Sequence, residues 1–166
     1  MCHYITLIVP TDDTTALAAI MKRHGRGAWA ADNPSLAKVL RPGDRQYMMA
    51  RSCDCGTVLG QQLDDAAVAI KADNEAARLR RKGWSEARIT RALPRPDSLD
   101  LWVAILADLA TGLRLPHAGL FVHFYSGGIE TEDLTVTRRE IGKSEDHCAA
   151  LGTMTEDELT VFRFTA

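Results

Sequence analysis

The sequence contains no hydrophobic run long enough to cross a membrane and no basic leader before its first apolar segment. Its longest other apolar stretch, residues 99–109, is interrupted by Asp100 and Asp108 and is shorter than the roughly 20 residues that a transmembrane helix needs. Residues 5–9 are apolar, but no small-residue cleavage site follows them. We therefore expect a cytoplasmic protein without a membrane partner, whose thiols stay reduced in that compartment.

The common catalytic and nucleotide-binding signatures are also missing. No G-x-G-x-x-G, P-loop, H-E-x-x-H or G-x-S-x-G pattern occurs, and there is no internal repeat or low-complexity segment.

The chain has 166 residues, of which 46% are hydrophobic and 25% charged, and this is typical of a single domain over residues 1–166. A domain of this size can build its core without disulfides or a structural metal, so a bound metal would be optional for folding.

The net charge of -2 is a cancellation between two opposed regions. Residues 71–95 contain eight basic and three acidic side chains, whereas residues 127–166 contain four basic and nine acidic ones. Single-stranded nucleic-acid sites usually combine basic residues with exposed aromatic rings, and Trp84 is the only aromatic residue in the basic region. The pattern therefore argues against a nucleic-acid partner and leaves a protein partner as the expectation.

The hydrophobic patterns predict an α+β fold with a mostly antiparallel sheet of about five strands and a helical middle segment packed on one face. Residues 3–9 are expected to form a buried, central strand, and residues 45–51 a second one. Cap and stop signals, including Asn33 before Pro34 and Asp97 with Ser98, mark the starts of helices. The predicted helices begin near residues 12, 34, 61, 85 and 99, and the remaining predicted strands cover residues 119–125, 134–141 and 159–164.

Four cysteines are the unusual feature of the composition. Cys53 and Cys55 form a C-x-C pair in front of Gly56, a residue that permits the tight bend of a ligand loop. A helix beginning soon after Gly56 would favour the thiolate of Cys55 through its positive end. The pair therefore fits either a metal ligand or a nucleophile.

A zinc site is the sharpest hypothesis that these residues allow. Cys2 and His3 precede the predicted central strand, and the end of a strand can lie beside the loop that follows another strand. Cys2, His3, Cys53 and Cys55 would then supply a tetrahedral Cys₃His set. Zinc sites more often show two matched cysteine pairs, so the alternative of no cofactor stays open. The other candidate ligands in the chain are His117, His123, His147 and Cys148.

A nucleophilic cysteine is the second chemical reading of the same residues. Cys55 could act as the nucleophile, or Cys2 could do so if removal of Met1 frees an α-amine that serves as its base. Neither reading comes with a recognisable oxyanion or substrate motif. The sequence therefore favours a protein without catalysis of its own, with a cysteine-dependent enzyme or a zinc-binding or redox-sensing protein as the alternative.

The opposed charge regions suggest how a non-catalytic protein would act. Complementary charges steer a macromolecular partner, so a small cytoplasmic binding protein, for example an immunity or antitoxin-like protein, is the leading prediction. The residues predicted to meet that partner are Arg78, Arg81, Arg88, Glu156, Asp157 and Glu158.

Overall fold

The computed structural model describes residues 2–51, 53–60, 65–92 and 97–165. Within them the chain forms six strands and six helices. The strands are β1 (Cys2–Val9), β2 (Trp29–Ala31), β3 (Arg45–Met48), β4 (His117–Tyr125), β5 (Thr137–Ile141) and β6 (Glu158–Arg163). The helices are α1 (Thr14–Arg23), α2 (Pro34–Ala37), α3 (Asp65–Arg81), α4 (Glu86–Ala92), α5 (Leu99–Gly112) and α6 (His147–Gly152).

The strands form one sheet in the order β2-β3-β1-β4-β6-β5. β1 pairs antiparallel with β3 on one side and with β4 on the other, which confirms it as a central strand. Only the β5–β6 pair is parallel among the described strands, and α6 makes the crossover that such a pair requires. The class predicted from sequence is confirmed, but the sheet has six strands rather than about five. The additional strand is β2, which is only three residues long.

The main core lies between one face of the sheet and helices α1 and α5. Alternate residues of β1, namely Ile5, Leu7 and Val9, face these helices and are fully buried. Trp102 of α5 is also fully buried there. A side chain of this kind contributes roughly 1.5–3 kcal/mol on burial, so this layer supplies much of the stability.

A smaller cluster covers the opposite face of the sheet. Leu36 of α2 packs there with Ile8, Phe121, Leu159 and Val161. The helices α3 and α4 make a third cluster of their own, formed by Ala76, Leu79 and Ile89 with Trp84 beside them. The helical middle segment therefore divides, since α5 joins the main core while α3 and α4 pack on each other.

Local capping signals explain where the helices start. The side chain of Asn33 accepts hydrogen bonds from the backbone of Ser35 and Leu36, with Pro34 in the first turn. Ser98 caps α5 by accepting from Leu101. The predicted helix start near residue 61 falls partly outside the described residues, and α3 runs from Asp65. α6 was not predicted, since residues 147–152 are too few to show a periodic pattern.

No helix within the described residues is long and apolar enough to cross a membrane.

Candidate thiol-rich metal site

The candidate site lies at the end of the sheet where β1 begins. Cys2 pairs with Tyr125 at the last position of the β1–β4 ladder. The segment that carries Cys53 and Cys55 runs beside the same end of β1, because the backbone N–H of Asp54 donates to the carbonyl of His3 at 2.8 Å. The strand end and the loop therefore meet, as the sequence had led us to expect.

Asp54 anchors the cysteine loop to the strand. Its carboxylate, which is 1% exposed, accepts a hydrogen bond from the backbone N–H of Ile5 at 2.9 Å. Its carbonyl accepts from both the backbone N–H and the hydroxyl of Thr57. The loop also requires a glycine at position 60, where an added Cβ would lie 2.0 Å from the Asp54 carbonyl oxygen. These contacts hold the two flanking cysteines in place.

Arg26 joins this anchor to a second buried carboxylate. Its guanidinium donates to Asp54 at 2.8 Å and to Asp97 at 3.5 Å, and it lies over the ring of Trp102 at 4.2 Å. Asp97 in turn accepts the backbone N–H of Val58 at 2.8 Å. Burial raises the pKa of Asp97 above its ordinary value, and the charge of Arg26 works against that rise. The loop is therefore tied to the core through one buried arginine.

The sulfurs of Cys2, Cys53 and Cys55 lie within 4.8 Å of one another. All three residues are partly exposed and none forms a disulfide. Partial burial, with the neighbouring thiols of Cys53 and Cys55 as further causes, raises the pKa of the Cys2 thiol. Three thiols at this spacing could hold a metal ion, and no other group of three or more such ligands occurs among the described residues.

His3 contacts the same cluster but does not belong to its closest group. Its backbone N–H donates to the sulfur of Cys55 at 3.1 Å, and its ring Nδ1 lies 3.8 Å from that sulfur. Its Nε2 lies 2.6 Å from a carboxylate oxygen of Glu156. In the tautomer that carries the ring proton on Nε2, that proton is donated to Glu156 and the Nδ1 lone pair faces Cys55.

No helix starts within residues 57–60, the described part of the segment after Gly56, and residues 61–64 lie outside the described residues. Residues 55–60 form turns, and the next described helix begins at Asp65. The polar contacts of the Cys55 sulfur include the backbone N–H of His3 at 3.1 Å and the ring Nδ1 of His3 at 3.8 Å. The alternative that the α-amine of Cys2 is a base depends on Met1, which lies outside the described residues, so it stays a prediction.

The other candidate ligands named from the sequence do not belong to the thiol group. His117 contacts Asp44 at 2.8 Å in the protein interior, and His147 packs edge-on against Phe162. Cys148 lies in the first turn of α6. His123 contacts Asp157 at 2.5 Å, and its other nitrogen lies 3.6 Å from Glu132. Asp157 adopts a left-handed backbone conformation with φ of 63°, which is uncommon for a residue other than glycine.

The residues predicted to meet a protein partner divide by their contacts. Arg78 pairs with Glu75, Arg88 lies over the ring of Trp84 at 3.8 Å, and Arg81 is exposed. Each acidic residue contacts a side chain of the same protein, although Glu156 and Asp157 remain 47% and 48% exposed: Glu156 contacts His3, Asp157 contacts His123 and Glu158 contacts Arg139. Binding of another macromolecule, including an immunity role, stays a prediction.

Three residues of the site were missed by reasoning from sequence. Arg26 and Asp97 gave no local sign that they would meet beside the cysteine loop, and Glu156 was read as part of an acidic surface. No family model, curated protein or solved structure matches the chain.

Proposed function

We propose that the protein binds a zinc ion through the sulfurs of Cys2, Cys53 and Cys55. The observation that carries this proposal is the approach of three sulfurs from two distant segments to within 4.8 Å of one another. Neighbouring sulfurs around a tetrahedral zinc ion stand about 3.8 Å apart. Side-chain rotations that move each sulfur by about 1 Å or less would therefore complete the geometry. Thiolates are soft ligands, which favour zinc over magnesium or calcium.

We further propose that His3 supplies the fourth ligand through Nδ1, after a movement of its ring toward Cys2 and Cys53. In a tetrahedral site the separation of a sulfur from a histidine nitrogen is about 3.6 Å, and the Nδ1 of His3 lies 3.8 Å from the sulfur of Cys55. Metal-binding histidines commonly donate their other ring N–H to a carboxylate, and Glu156 occupies that position at 2.6 Å. The proposed ligand set is therefore Cys2, His3, Cys53 and Cys55.

A role for these cysteines as small apolar packing residues explains the arrangement less well than a role as metal ligands. A buried cysteine that serves as an apolar residue is surrounded by apolar side chains, whereas these three are partly exposed and contact one another. The loop that carries two of them is also fixed by the ion pair between Arg26 and Asp54. Burying such a pair carries a desolvation penalty, which a turn with no function would not need. A preorganised ligand loop explains both features.

Metal analysis of single variants tests the proposal. Protein purified without added metal, then loaded with zinc and desalted, should retain one zinc ion per chain. Cys2→Ser, Cys53→Ser and Cys55→Ser should each retain close to none, because each removes one of the thiolates. Cys148→Ser is the matched control and should retain zinc as the parent protein does, since its cysteine lies on α6 outside the cluster.

Cobalt substitution reports on the coordination itself. Co²⁺ in a tetrahedral sulfur-rich site gives strong visible bands and a thiolate charge-transfer band, and His3→Gln should alter the visible bands while leaving most of the charge transfer. The proposal is wrong if the parent protein takes up no zinc, or if the three cysteine variants bind it as well as the Cys148→Ser control.

A further inference from the structure

Cys55 differs from the two other thiols of the cluster in what contacts its sulfur. It accepts the backbone N–H of His3 at 3.1 Å and faces the Nδ1 of the same residue at 3.8 Å. Glu156 holds the ring from the far side at 2.6 Å. The arrangement is therefore that of a nucleophile, Cys55, beside a base, His3, which is oriented by a carboxylate, Glu156.

A second thiol lies within reach of the Cys55 sulfur. The sulfur of Cys2 is within 4.8 Å of it, and the N–H of Asp54 bonds the carbonyl of His3 at 2.8 Å. That backbone contact places the two segments as close as neighbouring strands, and a disulfide can bridge such a separation. Oxidation of Cys55 could therefore be followed by a disulfide without rearrangement of the fold.

The cluster is also open to a small oxidant. Cys2 and Cys55 are both partly exposed, and the ring of His3 retains 16% of its exposure. A hydroperoxide needs only access to one sulfur lone pair and a proton donor for the oxygen that leaves. Reactive cysteines are typically partly exposed and contacted by a histidine, as Cys55 is here.

We propose that the metal-free protein reduces hydroperoxides, with Cys55 as the attacking thiol, His3 as its proton carrier and Cys2 as the thiol that resolves the product. This activity goes beyond zinc binding and uses no metal, although it employs the same side chains. Zinc at the cluster would occupy the sulfurs and suppress the reaction.

The chemistry proceeds in two balanced steps. The sulfur of Cys55 attacks one peroxide oxygen, so that an S–O bond forms and the O–O bond breaks. The thiol proton passes through the Nδ1 of His3 to the departing oxygen, which leaves as an alcohol or as water. Cys55 is thereby oxidised to a sulfenic acid. The thiol of Cys2 then attacks that sulfur, the S–O bond breaks, and the hydroxyl leaves as water with the proton of Cys2. A dithiol reductant restores both thiols by exchange.

Tryptic mapping after peroxide treatment tests the proposal directly. The protein is freed of metal with a chelator, checked for retained structure by circular dichroism, and treated with one equivalent of hydrogen peroxide. The peptide that ends at Lys22 should become joined to the peptide of residues 52–71, and dithiothreitol should separate them. A disulfide between Cys53 and Cys55 would instead leave the second peptide alone and 2 Da lighter, and it would overturn the role of Cys2.

Variants separate this activity from zinc binding. Cys53→Ser should lose zinc but still form the link between Cys2 and Cys55, whereas Cys55→Ser should lose both. Cys2→Ser should stop at a sulfenic acid that dimedone traps on Cys55. His3→Gln should slow peroxide consumption by about 100-fold, the usual contribution of a positioned acid–base group. Cys148→Ser is the control and should react as the parent protein does.

Two outcomes would overturn the proposal. One is peroxide consumption in the metal-free protein no faster than in a mixture of its unfolded peptides. The other is a reaction in Cys55→Ser at the parent rate. Neither outcome bears on zinc uptake, which is measured separately on the same variants.

Discussion

The surroundings of Arg26 and the α3–α4 region both rely on arginine, but they use its charge in opposite ways. Arg26 is 10% exposed and bonds two carboxylates that lie in the interior beside the cysteine loop. Arg78 and Arg80 are more than half exposed and pair with Glu75 and Glu86 on the surface. Removing one partner of a buried pair strongly lowers the free energy of unfolding, because the other charge is left without a countercharge. Exposed pairs contribute little, because water screens them. Burial therefore decides which charges matter for the site.

Removal of the buried arginine should have the largest effect. Arg26→Met keeps the apolar stem but leaves the carboxylate of Asp54 buried without a countercharge. We expect the free energy of unfolding to fall by about 3–5 kcal/mol. Urea denaturation followed by circular dichroism measures this. Arg23→Met is the matched control, because Arg23 lies at the end of α1 with its side chain 61% exposed. Equal losses in both variants would refute the contrast.

Removal of the carboxylate behind His3 should have an intermediate effect that is confined to the site. Glu156→Gln abolishes the negative charge at the Nε2 of His3 while preserving the shape of the side chain. Loss of such an outer contact typically lowers metal affinity by 10–100-fold, and we expect that range here. Competition with a chromophoric zinc chelator measures the affinity, and the unfolding midpoint should stay close to that of the parent protein. Glu156→Asp should recover part of the affinity.

Removal of a surface arginine should have the smallest effect. Arg80→Met breaks the pair with Glu86, and the midpoint of urea unfolding should remain unchanged within error, because both partners are exposed to water. Zinc affinity should also be unchanged. A clear loss of either would show that the α3–α4 region is coupled to the thiol end of the sheet.

Local signals in the sequence predicted much of the fold. Asn33 with Pro34, and Ser98 before the apolar stripe of α5, marked helix starts correctly because a cap depends on neighbours within one turn. The strand β2 was missed because three residues are too few to show alternation, whereas α6 was missed although Asp146 caps it by accepting from the backbone of Cys148 and Ala149.

The site was predictable only in part, for a related reason. The meeting of Cys2 with the loop of Cys53 and Cys55 could be anticipated from a central strand ending beside a loop. Glu156 lies 153 residues from His3 along the chain, and no pattern along one sequence links residues so far apart. The acidic run that contains Glu156 resembled a solvated surface, and Glu156 is 47% exposed, so only its contact with His3 marks it as part of the site.

The place of β1 in the sheet has a consequence for the making of the protein. β1 precedes all its partners in the chain, yet it pairs with β3 and β4, and β4 begins only at His117. During synthesis β1 can pair with β3 once residues 45–48 have emerged, but its other edge stays unpaired until β4, more than one hundred residues after β1, has been made. Such long-range pairing slows folding and leaves a strand open to aggregation. The nascent chain should therefore be most open to aggregation until β4 has emerged, although the contact between Asp54 and His3 that brings the cysteines together does not involve β4.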